Sequence, residues 1–227
     1  MLTIGHRGAM GYAPENTLLS VRKAIELGAD CVEVDVYLVG KTLVVIHDPT
    51  LDRTTDGKGK LDSHSFAELR ALDAGQGQQI PTLQEVIDVT KGKVGLNVEL
   101  KGAGTACACV KLVNTLVEAE KQQILLSSFL MGELAVVSQL DVSLNIGVLA
   151  SKNIDDSFVW AGRLKAFSIH LNERSVTPRL IERAHFEGLK LYVYTVNGFK
   201  DIERMKNMGV DGVFSNYPDR VLAACSD

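Results

Sequence analysis

The chain has 227 residues, 46% of them hydrophobic, and a formal net charge of −4. That length is ordinary for one closed α/β barrel, and the apolar content is enough to fill a large core. The acidic balance excludes nucleic acid as the main partner, because duplex binding rests on an excess of Lys and Arg facing phosphates.

Apolar runs of strand length alternate with helical segments along the chain. A strand is expected over 2–8, a helix over 16–28, strands over 31–38 and 42–47, a helix over 82–90 and a strand over 95–101. The series continues with a helix over 104–120, a strand over 124–129, a helix over 131–140, a strand over 145–150 and a short helix near 155–162. It closes with strands over 166–171, 190–196 and 211–215, helices over 177–187 and 199–207, and a last helical turn from Pro218. With 42–47 taken as a hairpin partner of the preceding strand, eight strands remain that can lie parallel, each followed by a helix. That tally predicts an α/β fold of the (β/α)₈ TIM barrel type. Asn16 after Pro14-Glu15 reads as an N-cap, and Thr82 with Glu85 three residues later reads as a capping box. Gly28, Gly92 and Gly188 end helical runs where a left-handed residue is wanted.

Segment 49–80 breaks the alternation and is rich in Gly, Asp and Thr. Loops of this length are uncommon unless functional, and in a barrel this one would project from the active-site face. It reads as a cap insertion on a single domain spanning residues 1–227. No apolar run reaches the roughly 18 residues of a membrane span, and the N-terminal MLTIGHRG enters a strand directly. The expectation is a cytoplasmic protein without stable membrane insertion; oligomeric state leaves no mark in the sequence. The four cysteines (Cys31, Cys107, Cys109, Cys225) form no C-x-x-C pair and read as reduced thiols rather than zinc ligands.

Chemistry-bearing residues sit in or just after the apolar strands: His6-Arg7, then Glu33 and Asp35, then His47-Asp48, then Glu99 and Lys101. Glu33 and Asp35 are two apart and share one strand face, and Glu99 reaches the same space from a neighbouring strand. Three carboxylates without a thiolate make a hard oxygen site suited to Mg²⁺, Ca²⁺ or Mn²⁺. Neutral imidazoles near pH 7 exchange protons in either direction, so His6 and His47 are candidate base and acid. The Arg7 fork matches phosphate oxygens, and Lys101 adds a point charge beside Glu99. Together they provide a cation, two proton carriers and two anion contacts, which is what transfer at a phosphodiester requires. His64 and His185 read as surface or packed residues, and His170 as a packed one at a strand end.

HRG at 6–8, PENT at 14–17, E-x-D at 33–35, HD at 47–48 and E-L-K at 99–101, followed by SSF at 127–129, YTVN at 194–197 and DGVFSNYPD at 211–219, resemble the signature of the glycerophosphodiester phosphodiesterase family. The resemblance implies a TIM barrel with a small insertion after the second strand unit, one divalent cation, and hydrolysis of glycerophosphodiesters to an alcohol and glycerol 3-phosphate. It implies Glu33, Asp35 and Glu99 as metal ligands, His6 and His47 as base and acid, and Arg7 and Lys101 as substrate-phosphate contacts. Glu15 and Asn16 are expected to hold the first loop, by bonds to the catalytic ring. Tyr194 stands where Trp is frequent and Asn216 where Asp is frequent. Two alternatives stay open: a phospholipase-D-like enzyme of the same superfamily acting on lysophospholipids, and a non-catalytic phosphate-binding barrel. The order of the two histidines, and attack by a substrate hydroxyl rather than by water, are also open.

Overall fold

In a computed structural model of the chain, residues 1–150 and 153–225 are described. The strand Cys31–Val39 shows how the sequence builds both of its layers. Val32, Val34 and Val36 are fully buried against helices, while Cys31, Glu33 and Asp35 alternate with them and face the opposite way. A strand with a period of two, apolar on one side and functional on the other, suits a barrel wall.

The strands are β1 (Leu2–Gly5), β2 (Cys31–Val39), β3 (Thr42–Val45), β4 (Gly95–Leu100), β5 (Ile124–Ser128), β6 (Asn145–Ala150), β7 (Ser168–Asn172), β8 (Lys190–Tyr194) and β9 (Gly212–Ser215). All but β3 pair in parallel, in the order β1-β9-β8-β7-β6-β5-β4-β2, and the β1–β2 pairing closes the ring. Among the described strands β3 pairs with β2 alone, antiparallel, so the expected hairpin lies outside an eight-stranded barrel. The helices are α1 (Leu18–Glu26), α2 (Phe66–Arg70), α3 (Leu83–Thr90), α4 (Thr105–Val113), α5 (Glu118–Lys121), α6 (Met131–Leu140), α7 (Ile154–Leu164), α8 (Pro178–Phe186), α9 (Phe199–Met208) and α10 (Pro218–Cys225). The fold is a (β/α)₈ TIM barrel, as expected.

The main apolar cluster lies between the outer strand faces and the helices. A second one, formed by Ile4, Leu125, Tyr192 and Phe214, plugs the barrel interior beneath the site. Among the described residues, no helix is long and apolar enough to cross a membrane. The described cysteines Cys31, Cys107, Cys109 and Cys225 are free, with Cys107 exposed and Cys109 buried as a two-residue offset on a helix requires.

Several local expectations change. Thr17, not Asn16, caps α1, accepting from the Ser20 N–H in a capping box, while Asn16 lies just before it at φ 57°. The helix expected over 104–120 is two helices, α4 and α5. Asn114 and Thr115 divide them, and the Thr115 hydroxyl donates to the Leu112 carbonyl at 2.7 Å, competing with the helical ladder. The Thr82–Glu85 capping box forms as read, and Gly28, Gly92 and Gly188 have φ of 84°, 69° and 76°. Segment 49–80 is more than a polar loop: it contains a 3₁₀ turn (Leu61–Ser63) and α2, and Leu51, Leu61, Leu69, Ala74 and Ile80 pack with Val39, Val44 and Ile46 of the hairpin. It therefore has an apolar core of its own against the outer face of β3.

Candidate active site

Parallel strands deliver their C-terminal ends to one face, and the residues singled out in the sequence meet there. Asp35 and Glu99 are register partners on β2 and β4, as are Glu33 and Asn97. One oxygen from each of Glu33, Asp35 and Glu99 lies within 4.8 Å of the others. His6, Arg7, Glu33, His47, Glu99 and Lys101 line one cavity of about 170 Å³. Asn97 forms part of its polar side, and Phe129, Leu149, Tyr194 and Phe214 form an apolar side. All seven predicted site residues thus come together, Asp35 buried directly behind the cavity wall.

The carboxylates are crowded and dry. Glu33 and Asp35 are 3% and 1% exposed. Burial, reinforced by the charges of Asp35 and Glu99, pushes the Glu33 carboxyl well above its ordinary value. Burial and the nearby Asp35 likewise push Glu99 up to about 7. Three buried carboxylates within reach of one another, two of them raised by burial and mutual charge, fit a site built to share a hard cation, which would repay that repulsion. Two side-chain cations already lean on the cluster. Lys101 Nζ donates to Glu99 Oε1 at 2.7 Å and lies 3.5 Å from Asp35 Oδ1, and Arg7 Nε lies 3.3 Å from Asp35 Oδ2.

The loop after β1 shapes the other wall. Arg7 and Gly8 take φ of 51° and 80°, turning successive amides onto β2: Arg7 N–H donates to Glu33 Oε2 at 2.7 Å and Gly8 N–H to the Glu33 carbonyl at 3.1 Å. A Cβ at Gly8 would lie 2.5 Å from the Ser20 backbone, so both φ and space demand glycine there. Asn16 does not touch an imidazole. Its Nδ2 donates to Asp35 Oδ2 at 2.9 Å, and its Oδ1 accepts from the Asp35 N–H at 3.1 Å. Glu15 likewise bonds arginines, Arg7 and Arg53, rather than a ring.

The two imidazoles are held differently. His6 Nδ1 lies 2.8 Å from Asn216 Oδ1, an acceptor, so Nδ1 carries the proton and Nε2 keeps its lone pair. Burial, helped by the Arg7 charge and opposed by the bond to Asn216, lowers the His6 pKa to about 4. His6 is therefore neutral at pH 7. His47 Nδ1 lies 2.6 Å from Asp48 Oδ1. The bond from Arg53, ahead of that from His47, holds Asp48 down to about 2. His170 is fully buried between Tyr192 and Phe214, bonded to Ser168 through Nε2, and stays outside the cavity lining. His64 bonds the Lys60 carbonyl and His185 bonds Asp211. Sequence reasoning missed Asn97, the bond of Asn216 to His6 and the part of Arg53. The first stands two residues before Glu99 on the inward face, so the strand period could have found it.

Fold and site together define an enzyme of the (β/α)₈ barrel class with its polar centre at the C-terminal mouth of the strands. The model of the glycerophosphoryl diester phosphodiesterase family matches residues 6–220, and the chain belongs to that family. It is 36% identical over 233 residues to a glycerophosphodiester phosphodiesterase of Caldanaerobacter subterraneus subsp. tengcongensis, covering 97% of this chain and 96% of that one. A Bacillus subtilis glycerophosphodiester phosphodiesterase is 32% identical, over 96% of this chain and 84% of that one. Among solved structures, an Oleispira antarctica phosphodiesterase in complex with the product sn-glycerol-3-phosphate superposes with a TM-score of 0.94 at 32% identity, covering 100% of this chain and 97% of that one.

Proposed function

We propose that the chain hydrolyses glycerophosphodiesters to an alcohol and sn-glycerol 3-phosphate. The observation that carries this reading is the meeting of the three carboxylates, two imidazoles and two cationic side chains around one cavity of about 170 Å³. That volume is below the roughly 300–1,000 Å³ of drug-sized pockets. It suits a glycerol phosphoryl group, whose carbons would lie against Phe129, Leu149 and Phe214, and leaves the departing alcohol outside.

Glu33, Asp35 and Glu99 would hold one divalent cation, Mg²⁺, Ca²⁺ or Mn²⁺. Bound there, such an ion supplies charge that polarises a phosphate oxygen and acidifies a coordinated hydroxyl. Arg7 and Lys101 would orient the phosphate by their charges. His6, with its Nε2 lone pair free, is the base that accepts the proton of the attacking oxygen. His47, its Nδ1 held by Asp48, is the acid that gives a proton to the leaving alcohol from Nε2. The attacking group we favour is the neighbouring glycerol hydroxyl, because a base and an acid on opposite sides of phosphorus suit an in-line displacement. The product of that attack is a cyclic phosphate, which water then opens.

Residues 1–227 act in this reading as one catalytic domain with segment 49–80 as its cap. Four free thiols fit a reducing compartment, the cytoplasm. The test is a panel of glycerophosphodiesters carrying choline, ethanolamine or glycerol, with a lysophospholipid beside them, assayed with each metal added back. Release of sn-glycerol 3-phosphate from the diesters is expected. Preference for the lysophospholipid would overturn the assignment.

A further inference from the structure

Arg53 belongs to the insertion, outside the barrel strands, yet its guanidinium spans the gap between the loop after β1 and the loop after β3. Its Nη1 and Nη2 donate to Glu15 Oε2 and Oε1 at 2.7 and 2.9 Å, and its Nε donates to Asp48 Oδ2 at 2.6 Å. Each of these carboxylates has its other contact on a residue that lines the cavity. Glu15 Oε1 also accepts from Arg7 Nη1 at 2.7 Å, and Asp48 Oδ1 lies 2.6 Å from His47 Nδ1. The chain from His47 through Asp48, Arg53 and Glu15 to Arg7 therefore alternates in charge and joins two residues that line one cavity.

An arginine that is 47% exposed contributes little to stability through such pairs, typically below about 1 kcal/mol each. What its rigid fork does provide is direction, since three of its nitrogens are committed to two carboxylates at once. His47 is 30% exposed, and its ring is oriented through Asp48, whose second oxygen Arg53 fixes. An imidazole left to rotate would miss the leaving oxygen for most of its time, and small misplacements of a catalytic group are costly in rate.

We propose that Arg53 is a positioning residue, setting the His47 ring through Asp48 while Glu15 anchors its fork, so that insertion and barrel mouth act on the phosphodiester as one unit. The inference rests on the reading of His47 as the donor to the leaving alcohol. It assigns the insertion a second role besides covering the site, because the insertion supplies the residue that sets the His47 ring.

The experiment compares Arg53→Gln, Arg53→Lys, His47→Ala and Arg70→Gln on two esters of glycerol 3-phosphate, one releasing choline and one releasing p-nitrophenol. Choline must be protonated as it leaves, whereas p-nitrophenolate departs without help. Arg53→Gln is expected to lower kcat on the choline ester about ten- to a hundredfold and on the p-nitrophenyl ester by less than about threefold. Arg53→Lys should recover part of the loss, since an ammonium reaches one carboxylate but lacks the fork. Arg70, also in the insertion, makes an equally short bidentate pair with Glu85 of α3 and bonds the Ile80 carbonyl, neither of which lines the cavity, and Arg70→Gln should leave both rates unchanged. Equal losses on both esters, or none, for Arg53→Gln beside a clear contrast for His47→Ala would overturn the inference alone. A His47→Ala variant that slows both esters alike would remove the His47 assignment, and the inference with it.

Discussion

Asn16 stands at φ 57°, almost fully buried, and its amide closes a two-bond ring on the backbone and carboxylate of Asp35. Glycine tolerates that backbone but leaves the Asp35 N–H without its acceptor and takes one hydrogen bond from the carboxylate. Asn16→Gly should therefore cost about 1–3 kcal/mol, read as a lower urea midpoint at unchanged slope. A variant as stable as the parent would show that water replaces the amide. His6→Ala and His47→Ala should each lower turnover roughly 10²- to 10⁴-fold while calorimetric titration still records metal binding. If the double variant lost the product of the two, the pair would not be acting as one coupled base and acid. The residues behind these forecasts were legible because their chemistry is carried by type and strand position: acids at two successive same-face places of β2, Glu33 and Asp35, declare a polar face from sequence alone. Their supports were not. Asn216 lies 210 residues from the ring it holds and Arg53 lies 38 from Glu15, and no local pattern reports a contact at such separation.

The insertion shows the same division between local and distant information. Its glycines and polar residues marked it as irregular, but the apolar side chains that give it a core are scattered through 51–80 and find their partners on β3. Barrel strands and most helices were legible because burial on the outer face imposes long apolar runs, and only their ends shifted by a few residues. Where the sequence signal was absent, as between α4 and α5, no Gly or Pro announces the break. Leu69 is fully buried in the insertion's core. Leu69→Ala should destabilise that core by about 2–5 kcal/mol and expose the segment to proteolysis after Lys58 or Arg70 while the barrel keeps its far-UV signal. The same variant should raise KM and change the order of preference among choline, ethanolamine and glycerol esters. An unchanged preference would separate the insertion from the leaving group.

The barrel interior also sets how the protein responds to acid. His170 is fully enclosed, and burial lowers its pKa from 6.5 to about 3. The unfolded chain therefore binds more protons than the folded one between those values, so stability is complete above about pH 6.5 and falls with pH down to about 3. The expected slope is about 1.4 kcal/mol per pH unit inside that window. Because His6, lowered to about 4, adds a parallel slope over the upper part of that window, His170→Gln should lessen but not abolish the dependence of the urea midpoint between pH 6.5 and 4 relative to the parent, and an unchanged slope would place the acid sensitivity elsewhere. Function rests on the same sheet, because the pairing of β2 with β4 brings Asp35 and Glu99 into register. The most direct measurement is the release of sn-glycerol 3-phosphate from glycerophosphocholine by chelated protein, before and after Mg²⁺, Ca²⁺ or Mn²⁺ is restored, with Glu99→Gln alongside. The expected result is no turnover after chelation, recovery with metal, and a much higher metal requirement for Glu99→Gln. Full turnover in the metal-free preparation would contradict it.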